Sequence, residues 1–193
     1  MLRRLYDWTL SLAAGPRAKL ALFTVSFTEA SFFPLPPDVL LVPMTLAKPN
    51  EAYRLALLAG LGSTLGGALG YAIGSLLYES VGLWIIHLYG YGDKMDAFRE
   101  TYANYGLWII LLKGLTPIPY KLVTITSGFA GYNFFLFIGL TIISRTLRFL
   151  AVGWILKRYG ETVREFIEEK LALSAFLLLF FVVGGFVLVK YVV

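Results

Sequence analysis

Residues 20–47 and 106–131 are long apolar blocks, each cut near its midpoint by prolines: PLPPD (Pro34 to Asp38) in the first and TPIPYK (Thr116 to Lys121) in the second. Proline removes a backbone donor and drives the residue before it out of the helical region. Each block is left as two arms, and even the longest, of 14 residues, reaches only about 21 Å as a helix. The hydrocarbon core of a bilayer is about 30 Å thick. The pattern therefore reads as a re-entrant hairpin, two half-helices turning at Pro34 and Pro36 or at Pro117 and Pro119. The plainer alternative is one kinked spanning helix per block. Irregular backbone at membrane depth is tolerated only where protein or water surrounds it.

A bilayer is the right reference because the chain lacks the charge to cover a water-facing surface. Of its 193 residues, 58% are hydrophobic and 15% charged, against roughly 25% charged in an average globular protein. Residues 55–78 carry no charge, nor do residues 172–189, and 134–156 carry only Arg145 and Arg148. These three segments read as spanning helices. Disorder is excluded by the same composition. The absence of cysteine and the presence of a single histidine exclude disulfides, Cys/His metal sites and cysteine nucleophiles. No cofactor and no metal is expected. The net charge of +5 is dispersed between apolar blocks, so it reads as topology and not as affinity for nucleic acid.

The expected fold is thus an all-α integral membrane protein in a single domain. Residues 1–19 form an interfacial segment, 20–78 a hairpin plus spanning helix, 79–105 an amphipathic connector, 106–156 a second hairpin plus spanning helix, 157–171 a second connector and 172–193 a terminal span. Shifting the chain by 83 positions lays Pro34 and Pro36 on Pro117 and Pro119, and Asp38 on Lys121. With both hairpins re-entrant, a single crossing separates them, so they open from opposite sides as an inverted repeat whose tips meet near the midplane. An inside amino terminus then puts ten basic residues inside (Arg3, Arg4, Arg17, Lys19, Lys48, Arg54, Lys157, Arg158, Arg164 and Lys170) against Lys94, Arg99 and Lys190 outside. Kinked spans would exchange Lys48 and Arg54 for Lys94 and Arg99 and keep the same balance, so the positive-inside rule supports the orientation without choosing the hairpin.

Chemistry is concentrated in the charges that apolar sequence surrounds: Lys113, Lys121, Arg145 and Arg148, with Glu29 and Asp38. Arg145 sits near the middle of its segment and Arg148 three residues on, on the same helix face. A central arginine costs roughly 2.5–3.5 kcal/mol on insertion scales. Arginine, lysine and the free amides of half-helices together suit a phosphate or carboxylate, so these four cations are candidate phosphate-binding residues. Opposed hairpins would carry Glu29 and Asp38 towards them, where the carboxyls could gate the site or exchange protons. The competing reading is a static lock of ion pairs, Asp38 with Lys121 for example. A site opening sideways to lipid would favour a phosphate with a hydrocarbon tail.

Other features read as scaffold. Gly62, Gly66, Gly70 and Gly74 form a four-residue ladder that lets helix backbones approach closely, inside the chain or in a homodimer. In 93–105, Met95, Phe98, Tyr102 and Tyr105 share a face opposite Asp93, Asp96, Arg99 and Glu100, and 157–170 is similarly amphipathic, as in helices lying at the headgroups. His87 is given no role.

Several of these residues resemble a known family. The stretch Gly62-Ser63-x-x-Gly66-x-x-x-x-Tyr71-x-x-Gly74 resembles the glycine signature of the DedA family, also called the SNARE-associated or VTT-domain family. The run from Lys113 through Pro117 and Lys121 to Ala130-Gly131 resembles its second re-entrant loop, and Arg145-x-x-Arg148-Phe149 its following basic pair. The resemblance covers roughly residues 20–156 and is nearest the short YqaA-like branch. It implies opposed re-entrant hairpins in the cytoplasmic membrane of a prokaryote, and lipid movement across it: recycling of a polyprenyl-phosphate carrier such as undecaprenyl phosphate driven by an ion gradient, or phospholipid scrambling as in eukaryotic relatives. It assigns the family's acidic pair to Glu29 and Asp38 and its basic pair to Lys113 and Lys121, where the family usually has arginine.

The function expected from residues and resemblance together is a proton-coupled carrier or flippase of an anionic lipid phosphate, and not an enzyme. No histidine lies near the basic cluster and no paired-aspartate metal motif is present. Phospholipid scrambling and a non-transporting assembly role are the alternatives.

Overall fold

Proline breaks and apolar runs map onto helix ends in the computed structural model, which describes Gly15 and residues 17–33, 35–90, 92–115 and 120–169. Helix α1 (Ala18–Ser31) and helix α2 (Asp38–Ala47) are the arms of the first broken block. Pro37 is the N-cap of α2, and its carbonyl accepts the N–H groups of Leu40 and Leu41. A 3-10 turn (Pro49–Glu51) leads into α3 (Ala52–Leu77), which continues through a π-helical turn (Tyr78–Gly82) into α4 (Leu83–Tyr89). Gly90, left-handed at φ 63°, stops that run, a conformation that costs glycine least. The second broken block supplies the end of α5 (Gly92–Leu115) and all of α6 (Tyr120–Phe129), and α7 (Phe134–Glu169) completes the described chain.

Among the described residues the architecture is all-helical. Two helices, Pro49–Leu88 and Phe134–Thr162, are long and apolar enough to cross a membrane. Their outer faces are what a lipid solvent requires. Leu57, Leu61, Leu65 and Leu69 run down the outside of α3, and Phe135, Ile142, Ile143, Leu147 and Trp154 down the outside of α7. Phe135 is 84% exposed. A water-soluble monomer does not present such continuous apolar strips.

One boundary differs from the sequence reading. The connector 93–105 and the arm 106–115 are one uninterrupted helix, α5. The change from charged to apolar sequence at Gly106 marks where α5 changes its surroundings and not where it ends. The stripe that α5 buries runs Met95, Tyr102, Gly106 and Ile110, at helical spacing straight through that point. Tyr105, placed on the inner face by the pattern, is 60% exposed. The second connector, by contrast, does set in at a break: non-helical geometry at Tyr159 (φ −121°, ψ 17°) kinks α7 into two helical parts close to where the sequence changes character. The interfacial segment, apart from Gly15 and its last residues, and the terminal span 172–193 lie outside the described residues, as do Pro34, Pro117 and Pro119.

Element order repeats: two arms and a long helix (α1, α2, α3), then two arms and a long helix (α5, α6, α7), with second arms of 10 residues in both. The packing repeats as well. In each half the first arm packs on its own long helix, α1 on α3 and α5 on α7. The second arm packs on the other half's long helix, α2 on α7 and α6 on α3. Glycine makes these crossings close. A Cβ at Gly62 would lie 2.6 Å from the Phe23 carbonyl oxygen of α1, and one at Gly66 would overlap the Phe27 carbonyl. Where α3 meets α6, a Cβ at Gly74 would overlap the Ile125 carbonyl and one at Gly128 the Tyr71 carbonyl. The ladder is therefore consumed within the chain, and Gly62, Gly66, Gly70 and Gly74 are all buried.

Candidate functional site

Two apolar clusters make up the core. One gathers Leu22, Leu41, Met44, Leu55 and Phe149, and the other Ala30, Ile110, Tyr120, Val123 and Phe137. A polar layer lies between them, built around Arg145. Its guanidinium sits over the Tyr120 ring of one cluster, 4.7 Å from the centroid, and over the Phe149 ring of the other at 4.9 Å. It is 1% exposed. Its Nε donates to Ser63 Oγ at 2.6 Å and an Nη to Glu29 Oε2 at 2.9 Å. The other carboxylate oxygen, Glu29 Oε1, accepts the backbone N–H of Tyr120 at 3.3 Å. Tyr120 opens α6, so Glu29 also lies against a helix amino terminus, where negative charge is favoured. One ion pair thus ties α1, α3, α6 and α7 together at the point where the two broken blocks meet.

Hydroxyl groups complete the layer. Tyr120 Oη and Thr141 Oγ1 are 2.8 Å apart, Thr124 Oγ1 donates to the Ala30 carbonyl at 2.9 Å, and Ser31 Oγ donates to the Gly66 carbonyl at 2.9 Å. Tyr71 adds a bond from its hydroxyl to the Tyr132 carbonyl. Buried polar groups without such partners are costly.

Arg148, one turn along α7, makes the second pair: its Nη lies 2.6 Å from Asp38 Oδ2. Asp38 is the first residue of α2, so it too is a carboxylate at a helix amino terminus. The two pairs differ in access. The Arg145 and Glu29 side chains are 2% and 12% exposed, whereas those of Arg148 and Asp38 are 18% and 23% exposed. Arg145 is sealed and Arg148 is reachable.

The six charged residues singled out from sequence are therefore brought together only in part. Glu29 and Asp38 reach the two arginines, each taking one. Lys121, the second residue of α6, is half-buried and makes no ion pair among the described residues. Asp38 pairs with Arg148, not with Lys121 as in the lock considered above. The Lys113 side chain lies outside the described residues. Arg145 is expected from sequence to hold phosphate, but in this conformation Glu29 and Ser63 occupy that position.

Sequence reasoning passed over Tyr120 and gave Ser63 no role of its own. A signal for each exists. Ser63 is a hydroxyl in an uncharged helix beside the glycine ladder, and Tyr120 directly follows the second proline pair, where a half-helix must present free amides.

Comparison with known proteins identifies the family. The VTT-domain family model matches residues 35–158. That span takes in Asp38, Lys113, Lys121, Arg145 and Arg148, while Glu29 precedes it. An uncharacterised protein of Haemophilus influenzae is 34% identical over 168 residues, covering 85% of this chain and 87% of the relative. An uncharacterised protein of Histophilus somni is 37% identical over 168 residues, with the same coverage. No solved structure matches the chain. Helices apolar on the outside, a glycine-mediated helix crossing and a family match over most of its length place this chain among the membrane proteins of the VTT-domain, or DedA, family.

Proposed function

We propose that this chain carries a lipid phosphate across the membrane, and that Arg148 is the cation that receives the phosphate. The observation behind this is the difference between the two arginines. Arg145 is closed in by Glu29, Ser63 and two aromatic rings and braces the halves. Arg148 holds a single carboxylate, is partly exposed, and lies on a helix whose outer side is apolar. A phosphate arriving from lipid would replace Asp38 on Arg148, with Lys121 as a second cation. Asp38, released from Arg148, is the proposed gate of the exchange and the proposed link to an ion gradient. A polyprenyl phosphate such as undecaprenyl phosphate is the proposed passenger, and the reaction is translocation without bond cleavage. The proposed setting is the cytoplasmic membrane of a prokaryote, with the amino terminus inside and the hairpins re-entrant from opposite faces.

Arg148→Gln keeps a polar side chain, though a shorter one, and removes the charge. It is expected to cut lipid-phosphate flux in reconstituted vesicles by about a hundredfold, the order of effect expected when a partly buried charge-assisted contact is lost, while leaving the thermal midpoint within a few degrees. Flux equal to that of the native chain would overturn the assignment.

The hairpin geometry has its own test. The chain has no cysteine, so Lys94→Cys is a unique thiol just inside α5. Re-entrant hairpins put it on the face opposite the amino terminus, and kinked spans put it on the same face. A membrane-impermeant maleimide applied to intact cells is expected to label it, and protection until the cells are broken would favour the kinked spans.

A further inference from the structure

Arg99 belongs, by the pattern of 93–105, on the outward polar face of its helix, yet it is turned inward. Its guanidinium lies over the Tyr78 ring, 4.0 Å from the centroid. Its Nε is buried and has no hydrogen-bond partner, and it forms no ion pair, among the described residues. By helical spacing Arg99 falls between Met95 and Tyr102 in the stripe α5 buries. A cation kept in a packing face without a carboxylate, and held by an aromatic ring, has donors left to give.

Arg99 lines a cavity of about 540 Å³ together with Tyr102, Tyr132, Asn133 and small residues including Gly131, and no carboxylate is among its lining. A second cavity, about 520 Å³, shares no lining residue with the first but is lined by Phe98 and Phe129, the chain neighbours of Arg99 and Ala130. Its lining is apolar (Leu77, Val81, Ile86, Met95, Phe98, Phe129) except for Lys94. Arg99 precedes Lys113 by fourteen residues on α5, about 21 Å along the axis. The pair of cavities is thus well separated along α5 from the second proline break.

We propose that the Arg99 cavity binds the phosphate of a membrane amphiphile whose hydrocarbon tail lies in the neighbouring apolar groove. A guanidinium with open donors suits a phosphate, and an apolar trough beside it, on a protein sitting in lipid, suits an acyl or prenyl chain. A free phosphate would leave the trough without an occupant. The site differs from the one around Arg148 and does not depend on transport.

The test uses the full chain in maltoside detergent, carrying Arg148→Gln so that the central cation does not contribute. Dodecyl phosphate is expected to bind saturably, and inorganic phosphate at least about tenfold more weakly. Arg99→Gln is expected to weaken dodecyl phosphate by roughly tenfold or more, and Arg99→Lys, which keeps a point charge, by much less. Val81→Glu, at an exposed position on the groove, is expected to weaken dodecyl phosphate and to leave inorganic phosphate nearly unchanged. If Arg99→Gln does not fold, the Val81→Glu and Arg99→Lys measurements decide. Binding of dodecyl phosphate indifferent to Arg99→Gln and Val81→Glu, or equal binding of inorganic phosphate, would overturn the proposal.

Discussion

Replacing Arg145 with methionine is expected to destabilise the protein by about 3–5 kcal/mol, the usual cost of stranding one member of a buried ion pair. The stranded group is Glu29, whose carboxylate would keep only the Tyr120 N–H, while Ser63 Oγ would lose its donor. The aromatic contacts of the guanidinium with Tyr120 and Phe149 would go as well. Methionine is flexible and apolar enough to fill much of the space, so the loss reports charge and not volume. The companion variant separates the two. Glu29→Gln together with Arg145→Met removes both charges, and most of the lost stability is expected to return, since an ion pair replaced as a unit is often near neutral. Reversible unfolding in mixed micelles measures both variants. A loss below about 1 kcal/mol for Arg145→Met alone would mean that this pair does not brace the fold.

Gly66→Leu is expected to have an effect of comparable size by a different route. A side chain there would meet the backbone of α1 at Phe27, not a flexible side chain that could swing away. The bond from Ser31 Oγ to the Gly66 carbonyl depends on the same close approach. Overpacking commonly costs about 1–3 kcal/mol, and an obstacle made of backbone puts this case at the upper end or beyond it. Because α1 carries Glu29, displacing α1 from α3 would also pull the carboxylate from Arg145. The control is Gly139→Leu on α7, where an added Cβ meets nothing within 4 Å. It is expected to fold like the native chain, and equal behaviour of the two variants on size exclusion would refute the packing argument.

How much of this was readable beforehand depends on whether a property is local. The helix break at 32–37, the end of α5 at Leu115 and the start of α6 at Tyr120 follow from clustered prolines, whereas the single Pro43 sits inside α2 without ending it. The long helices follow from uncharged sequence, because solvent preference acts residue by residue. The meeting of Glu29 and Asp38 with Arg145 and Arg148 was legible as a need for countercharge in apolar sequence. Which acid takes which arginine was not, since that depends on the register of α1 on α3 and of α2 on α7. Access was hidden for the same reason: Arg145 and Arg148 are three positions apart in one helix, and only the neighbouring arms make one sealed and the other open. Arg99 was misplaced because a charged residue is assigned outward by pattern, whereas here a tyrosine ring gives its cation an inward seat.

The crossed packing of the second arms limits how such a molecule can move. Since α2 leans on α7 and α6 on α3, the halves are clasped like folded hands. Neither can swing as a block without unlacing its partner, and neither half expressed alone would cover its own long helix. If a lipid phosphate passes by Arg148 as proposed, this packing favours small slides of the short arms around a fixed pair of posts, with Arg145 as the rivet.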